Sequence, residues 1–163
     1  MRKGVGKVIP SMSRVFLSHP HAEGRFAVKF ARWLEKIFEN HIAVICTSEP
    51  KYHIDSGHML TSGIVEQMRT ASVVLVLITN ESRPWIFYEM GVAHVLGKVF
   101  IPCVARGLLL PDLPVQAHEY QGVDLSSAED LRNLVRALSH SLKIVPVVVE
   151  DYRAVAQTFA SFP

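Results

Sequence analysis

The sequence predicts an α/β domain in which a parallel β-sheet is covered by helices on both faces. Apolar runs of strand length alternate along the chain with amphipathic segments of helix length, the order expected of βαβ crossovers. The run from Val73 to Ile78 is apolar at every position, which is typical of a central parallel strand buried on both faces. Five units of this size favour a flavodoxin-like three-layer sandwich, with a five-stranded parallel sheet in the order 2-1-3-4-5.

Short apolar segments predict the strands of this sheet. The first four are rich in valine, isoleucine and other residues that suit a pleated, buried surface. The fifth is short and more polar than the others, as expected of a strand at the edge of a sheet. The predicted strands span residues 14–18, 42–46, 72–79, 99–104 and 119–123.

Between the strands, apolar side chains recur at the spacing of a helix that buries one face. Ser82 is expected to cap the start of the third helix, and Gly97 suits the position just after its end. The predicted helices span residues 22–39, 58–69, 82–97 and 128–142, and a further helix is expected from about residue 151. The expected inward-facing residues of the first two helices are Phe26, Phe30, Trp33, Leu34, Ile37, Ile64, Val65 and Met68.

Length and composition indicate one globular domain. The chain has 163 residues, of which 49% are hydrophobic and 20% are charged. A domain of this size buries about 70% of the surface of its unfolded chain. We expect residues 1–13 to form a flexible lead-in, residues 14–142 to form the domain, and residues 143–163 to form a C-terminal extension. The strand and helix pattern does not place this extension.

Charge and cysteine usage argue against several functional classes. The net charge of +2 is too small to indicate binding to nucleic acid or to a membrane surface. Cys46 and Cys103 each lie in an apolar run, so they are expected to be buried, reduced thiols, which favours a cytoplasmic location. No run approaches the ~20 apolar residues of a transmembrane helix, and the basic start leads into no signal-peptide core.

A ligand crevice is expected at the carboxyl edge of the sheet, where the connections that leave strands one and three diverge. Three polar segments meet there: residues 18–23, 47–57 and 80–89. Glu89 is the first candidate for chemistry, because a carboxylate on an otherwise apolar helix face must be partnered or used. That face consists of Trp85, Glu89, Val92 and Leu96, which recur at helical spacing.

Two roles for Glu89 follow from this position. In a catalytic role, a buried carboxylate stabilises a cationic transition state or binds ribose hydroxyls, while a neighbouring aromatic ring stacks on a flat ligand. In a structural role, Glu89 accepts a hydrogen bond from a nearby hydroxyl or backbone group. No metal site is expected, since the eight histidines match no zinc spacing. A hydrolase nucleophile is not expected either, because Ser18, Ser48 and Ser56 lack a Gly-x-Ser-x-Gly elbow.

Several motifs together resemble the Toll/interleukin-1 receptor (TIR) domain in its bacterial form, over about residues 14–140. Each motif is weak alone, but their order and spacing are specific. Residues 47–48 open the loop that the family calls BB. The matching segments are Val15 to His19, Thr47-Ser48, Ser82-x-x-Trp85-x-x-x-Glu89, Gly91, Ala93 and Val99 to Pro102.

The resemblance implies a flavodoxin-like fold and, for many bacterial members, cleavage of the nicotinamide–ribose bond of NAD. The products are nicotinamide and ADP-ribose or a cyclic ADP-ribose. Glu89 matches the family's catalytic glutamate, and Trp85 matches the aromatic residue four positions earlier. NAD is then the substrate, and no cofactor is expected. The residues expected to contact the substrate are Trp85, Ser18, His19, Ser48 and Ser82.

The resemblance also implies self-association. In catalytic members the BB loop of one copy commonly completes the site of the next, and here that loop spans residues 47–59. A regulatory partner protein and a role in anti-phage defence are further implications. The chain departs from the family pattern at two places. Residues 20–23 replace a second acidic or polar run that family members often have, and Met59 or Leu60 stands where tryptophan is common. These departures concern nucleotide contacts more than the fold.

Two other functions fit the same sequence. The first is a non-catalytic TIR module that signals only by assembling with other TIR domains. The pair of Trp85 and Glu89 favours the enzyme, because a scaffold has no need for a carboxylate on a sheet-facing stripe. The second is an enzyme like the nucleoside deoxyribosyltransferases, which share the sheet and a crevice glutamate but form a covalent sugar intermediate. Release of base from NAD or from deoxynucleosides distinguishes these enzymes.

Overall fold

The computed structural model of the chain describes residues 12–46, 60–82, 85–113 and 120–163. Within these ranges a parallel sheet lies between two layers of helices. The strands are β1 (Ser13–Ser18), β2 (Ile42–Cys46), β3 (Val73–Ile78), β4 (Val99–Val104) and β5 (Val123–Asp124). The helices are α1 (Gly24–Ile37), α2 (Leu60–Thr70), α3 (Trp85–Val95), α4 (Ala128–Leu142) and α5 (Tyr152–Ala160).

The strands pair in parallel in the order β2-β1-β3-β4-β5, which confirms the predicted sheet. On one side of β1, Leu17 lies opposite Cys46 of β2. On the other side, Ser18 lies opposite Val76 of β3. β1 and β3 are therefore adjacent interior strands whose carboxyl ends lie side by side.

The alternation of side chains along β1 separates two core layers. Val15 and Leu17 lie in a layer with apolar side chains of α1, α4 and α5. Phe16 lies in the opposite layer, with apolar side chains of α2 and α3. All six residues of β3 are buried because this strand supplies both layers, as its apolar run predicted. The predicted inward-facing residues that are buried are Phe26, Phe30, Trp33, Leu34, Ile37, Ile64 and Met68, and Val65 is half-buried.

The ends of several elements differ from the prediction, although β2, β4 and α4 have the predicted bounds. α1 begins at Gly24 instead of residue 22, because a 3-10 turn (His21–Glu23) intervenes after β1. It ends at Ile37, since Glu39 and Asn40 adopt positive φ angles of 45° and 59°, outside the helical region. α2 runs to Thr70, one residue beyond the predicted end. The predicted start of α2 at residues 58–59 lies outside the described residues.

α3 and β5 differ from the prediction at their ends. α3 ends at Val95, two residues before the predicted end at residue 97, and its described part starts at Trp85 because residues 83–84 lie outside the described residues. β3 is one residue shorter than predicted at each end. Gly97 has a φ of 63°, which suits the expected position just after the helix. In β5 only Val123–Asp124 pairs with β4. Gly122, just before it, is packed so closely that a Cβ would lie 2.4 Å from Cδ2 of Leu110.

The segment after α4, which the sequence pattern did not place, packs against the α1 layer. Asp151 caps α5 by accepting hydrogen bonds from the backbone N–H groups at positions 153 and 154, consistent with the helix start expected near residue 151. Phe159 of α5 is 3% exposed and lies within an aromatic cluster. Its ring centroid lies 5.6 Å from that of Phe26, 5.7 Å from that of Phe30 and 5.6 Å from that of Trp33. α5 is therefore part of the core.

The two cysteines are buried, as predicted, and neither forms a disulfide. Burial also raises the pKa of the Cys103 thiol, because it disfavours the thiolate. Over the described ranges, no helix combines the length and apolar character needed to cross a membrane.

Candidate active site

The candidate site lies at the carboxyl ends of β1 and β3. The chain leaves β1 toward α1 in one layer, and it leaves β3 toward α3 in the other. Such a divergence between adjacent parallel strands opens a crevice at the edge of the sheet, and ligands bind there in sheets of this order. Ser18 ends β1, and the turn from Thr79 to Ser82 follows β3. The structure thus brings together two of the three segments expected to meet.

Ser18 and Glu89 are in direct contact in this crevice. Ser18 lies two residues after Phe16 on the same strand, so its side chain points into the layer that contains α3. The Ser18 hydroxyl donates a hydrogen bond to Oε2 of Glu89, although the two residues are 71 positions apart in the chain. Each of the two residues is only 4% exposed. The carboxylate is therefore buried and hydrogen-bonded at the sheet edge.

α3 explains why Glu89 is buried. Met90 and Ala93 are buried on the same side of the helix, at 6% and 0% exposure. Val92 and Leu96 are only half-buried, so the helix is rotated by about one residue relative to the predicted face of Trp85, Glu89, Val92 and Leu96. Glu89 lies within the buried stripe in both cases. Trp85 begins the helix, four residues before Glu89, and its side chain lies outside the described part of the chain.

A tight turn carries the chain from β3 toward α3. The backbone N–H of Thr79 donates to Oγ of Ser82 over 2.9 Å, and the N–H of Ser82 donates to the carbonyl of Thr79 over 3.0 Å. The Ser82 hydroxyl thus serves this turn, and residues 83–84, where the helix that it was predicted to cap would begin, lie outside the described residues. Thr79, which is 3% exposed, is a buried polar residue of the site that the sequence did not reveal.

His19, the next residue after Ser18, has a buried ring nitrogen without a hydrogen-bond partner in the described part of the chain. Its Nδ1 donates to the carbonyl of Pro20 over 2.9 Å, which leaves Nε2 as the hydrogen-bond acceptor of a neutral ring. Nε2 is buried and has no hydrogen-bond partner among the described residues. The pKa of His19 is lowered, and burial is the largest cause. The hydrogen bond to the Pro20 carbonyl raises this pKa by less. The neighbouring His21 lowers it further, and Glu23 raises it. His19 is therefore neutral near pH 7.

Acidification is expected to destabilise the fold through His19. Because its pKa is lowered in the folded state, the unfolded chain binds the proton more readily. This contribution to the free energy of unfolding is fully present above pH 6.5, the ordinary pKa of histidine. It is lost as the pH falls through the pKa of His19 in the folded state. His19→Gln should flatten the pH dependence measured by urea unfolding, whereas His140→Gln, on the exposed side of α4, should not. Equal slopes for both variants would contradict the assignment.

An ion pair lies at the same edge of the sheet, between the turn after β1 and the residues after β4. Glu23, in the 3-10 turn after β1, is 8% exposed, and its Oε2 lies 3.6 Å from Nε of Arg106, just after β4. Arg106 has a φ of 62° and also donates a hydrogen bond to the carbonyl of Phe162. These contacts join the turn after β1 to the C-terminal segment. No pattern in the sequence indicated this pairing, because the partners lie far apart in the chain.

The remaining expectations concern metal ions and Ser48. No group of three or more His, Cys, Asp or Glu side chains within the described ranges is placed to hold a metal ion. Ser48 and the rest of the expected BB loop, residues 47–59, lie outside the described residues. Of the residues expected to contact the substrate, the structure describes Ser18, His19 and Ser82 with their side chains.

Comparisons with known proteins give a consistent family and fold. The family model of the TIR domain matches residues 15–139. No curated protein sequence is significantly similar to this chain. Among solved structures, the TIR domain of the Toll-related receptor TRR-2 from Hydra magnipapillata aligns with a TM-score of 0.61 at 12% identity, covering 76% of this chain and 96% of that one. The CMP N-glycosidase BcmB from Clostridium botulinum aligns with a TM-score of 0.53 at 13% identity, covering 77% and 98%. At these identities the likeness shows a shared fold.

Proposed function

The chain belongs to the TIR-domain family, and from that premise we propose that it cleaves the nicotinamide–ribose bond of NAD. The products would be nicotinamide and ADP-ribose or a cyclic ADP-ribose. The observation that carries the proposal is the buried carboxylate of Glu89, 4% exposed, at the edge where β1 and β3 end. Glu89 matches the catalytic glutamate in the family resemblance, and ligands of sheets with this strand order bind at the same edge, which supports the proposal.

The chemistry of NAD cleavage suits a single carboxylate. The nicotinamide ring of NAD carries a positive charge, so it takes the bonding electron pair from C1′ of the ribose and departs neutral. No general acid is needed. The ribose is left with oxocarbenium character, which a buried negative charge stabilises. Water then adds to C1′ and loses a proton to give ADP-ribose, or a nitrogen of the adenine attacks C1′ to give the cyclic product.

A second candidate is cleavage of a nucleotide such as CMP, because the fold resembles that of a CMP N-glycosidase. The sugar passes through a similar cation in that reaction, so Glu89 would have the same role. A neutral cytosine leaving group, however, must gain a proton, which requires a general acid. Of the described polar side chains at this edge of the sheet, Ser18 is a weak acid and His19 is neutral. NAD remains the first candidate, because its cleavage needs no acid.

A third candidate belongs to a different class, a TIR module that acts only through homotypic TIR contacts. The family supports such contacts as readily as catalysis. A buried carboxylate weakens a purely structural domain unless hydrogen bonds compensate it. Ser18 supplies one such bond, so the contact between Ser18 and Glu89 suits both an enzyme and a module. Only an activity measurement separates the two.

The experiment is to incubate concentrated protein with NAD or with CMP and to resolve the products by chromatography. We expect nicotinamide from NAD, together with ADP-ribose or its cyclic form, and no cytosine from CMP. Cytosine in place of nicotinamide would support the second candidate. If neither base is released, the interaction module remains. The same assay applied to Glu89→Gln tests the role of the carboxylate, and Glu66→Gln, on the exposed side of α2, is the control that loses a carboxylate elsewhere.

We further propose that activity depends on self-association through the loop of residues 47–59. The chain places Tyr52 and Ile54 in this loop, and interfaces are enriched in exposed aromatic and apolar side chains. Specific activity is therefore expected to rise with protein concentration. Tyr52→Glu or Ile54→Asp is expected to lower the specific activity without lowering the melting temperature. Specific activity that stays constant from nanomolar to high micromolar protein would contradict this proposal. The loop would then act as a lid within one chain.

A further inference from the structure

Ser18 is held rigidly at the end of an interior strand. Its backbone pairs with β3 opposite Val76, and its side chain points into the layer that contains Phe16 and α3. With only 4% of its surface exposed, it has little freedom to move. The sheet therefore sets the position of its Cβ, and the hydroxyl is directed at Glu89.

The proton of this hydroxyl is already used. A serine hydroxyl has a single hydrogen to donate, and in Ser18 it goes to Oε2 of Glu89. While Glu89 is charged, Ser18 can accept a hydrogen bond from a ligand but has no hydrogen left to give. A role as hydrogen-bond donor to the substrate, one of the ways in which a substrate-contacting serine would act, is incompatible with this arrangement.

We propose that Ser18 is a positioning residue, which acts on the reaction by holding Glu89 charged and correctly aimed. The inference rests on the proposed function, since it concerns the cleavage that Glu89 is proposed to assist. A hydrogen bond donated to a carboxylate favours its charged form. It also restricts the terminal torsion of the glutamate, which is otherwise broad. Stabilising an oxocarbenium ion requires both the charge and the aim.

The test compares Ser18→Ala with Ser18→Thr, which keeps the hydroxyl. Ser18→Ala is expected to lower kcat for NAD cleavage about 10-fold, the size expected for one charge-assisted hydrogen bond, and to leave KM nearly unchanged. The acidic limb of its pH–rate profile should move to higher pH, because the carboxylate is protonated more easily without its donor. Ser18→Thr should restore most of the activity. Ser139→Ala is the matched control, because it removes a hydroxyl that donates to the Ile144 carbonyl, next to α4.

Two kinetic results would overturn the inference. A raised KM with unchanged kcat would assign Ser18 to substrate binding. Kinetics of Ser18→Ala that match those of Ser139→Ala would show that the contact with Glu89 has no influence on the reaction.

A thermal double-mutant cycle with Glu89→Met tests the contact without any activity. Ser18→Ala should lower the melting temperature by about 5 °C in the parent chain and by much less in the Glu89→Met background, where the acceptor is gone. If the parent protein cleaves NAD but Ser18→Ala shifts the melting temperature equally in both backgrounds, the positioning role alone is overturned. If the parent protein does not cleave NAD but the two shifts differ as expected, the proposed function is overturned and the hydrogen bond that holds Glu89 stands.

Discussion

Glu89→Gln is expected to reduce nicotinamide release from NAD at least ~100-fold, the loss expected when a main electrostatic stabiliser of a transition state is removed. Glutamine has nearly the same shape as glutamate, and its amide oxygen can still accept the Ser18 hydroxyl. The substitution therefore removes the negative charge and keeps the volume. If the charge stabilises the developing oxocarbenium ion, activity is lost while the packing of α3 on the sheet is kept.

The measurement needs both a rate and a melting curve. Glu66→Gln, on an exposed part of α2, removes one carboxylate elsewhere and should leave both unchanged. Wild-type activity in Glu89→Gln with an unchanged melting curve would make Glu89 a structural residue that merely accepts the Ser18 hydroxyl. A variant that is inactive only because it is unfolded would show a lowered melting temperature. The two outcomes are distinguished in the same preparation.

Phe159→Ala is expected to destabilise the protein by about 3–5 kcal/mol, the usual result of truncating a buried phenylalanine. Phe159 is 3% exposed and contacts three aromatic rings of α1, so its removal leaves a cavity that these rings cannot easily fill. The Phe159 ring meets these three rings in tilted and perpendicular arrangements, which are favourable for aromatic pairs and add to the packing energy. At about 2–4 °C for each kcal/mol, the melting temperature should fall by roughly 10 °C.

The control for this change is Phe87→Ala on α3, where the ring is 42% exposed. Removing it should shift the melting temperature by a small fraction of the Phe159 effect. Equal shifts for both variants would mean that α5 is only loosely attached to the α1 layer. Chemical unfolding followed by circular dichroism gives an independent free energy for the same comparison.

The sequence predicted most of the sheet because its signals are local. The run of β3 is apolar at every position, and α4 has an apolar stripe between a serine cap and a helix end, so both were predicted within a residue. Glu89 could be predicted as buried because a single carboxylate interrupts an apolar helix. The predicted face of α3 was nevertheless about one residue out of phase, since the helix is apolar almost all round and its periodicity is weak.

The features that the sequence did not predict depend on contacts between distant segments. α5 was left unplaced because its position is set by aromatic packing against α1, which no spacing in the sequence encodes. β5 pairs with β4 only over Val123–Asp124, which the apolar pattern of residues 119–123 did not indicate. In both cases the tertiary structure decides what the local pattern leaves open.

The long sequence separation between Ser18 and Glu89 has a consequence for folding during synthesis on the ribosome. A nascent chain that ends at β2 already contains Ser18 but does not yet contain Glu89, which receives its hydrogen bond. The pair can form only after β3 has inserted beside β1 and α3 has folded onto the sheet, a non-local event that follows the local ones. A chain that has not yet reached α3, or in which α3 has left the sheet, therefore lacks the pair of Ser18 and Glu89.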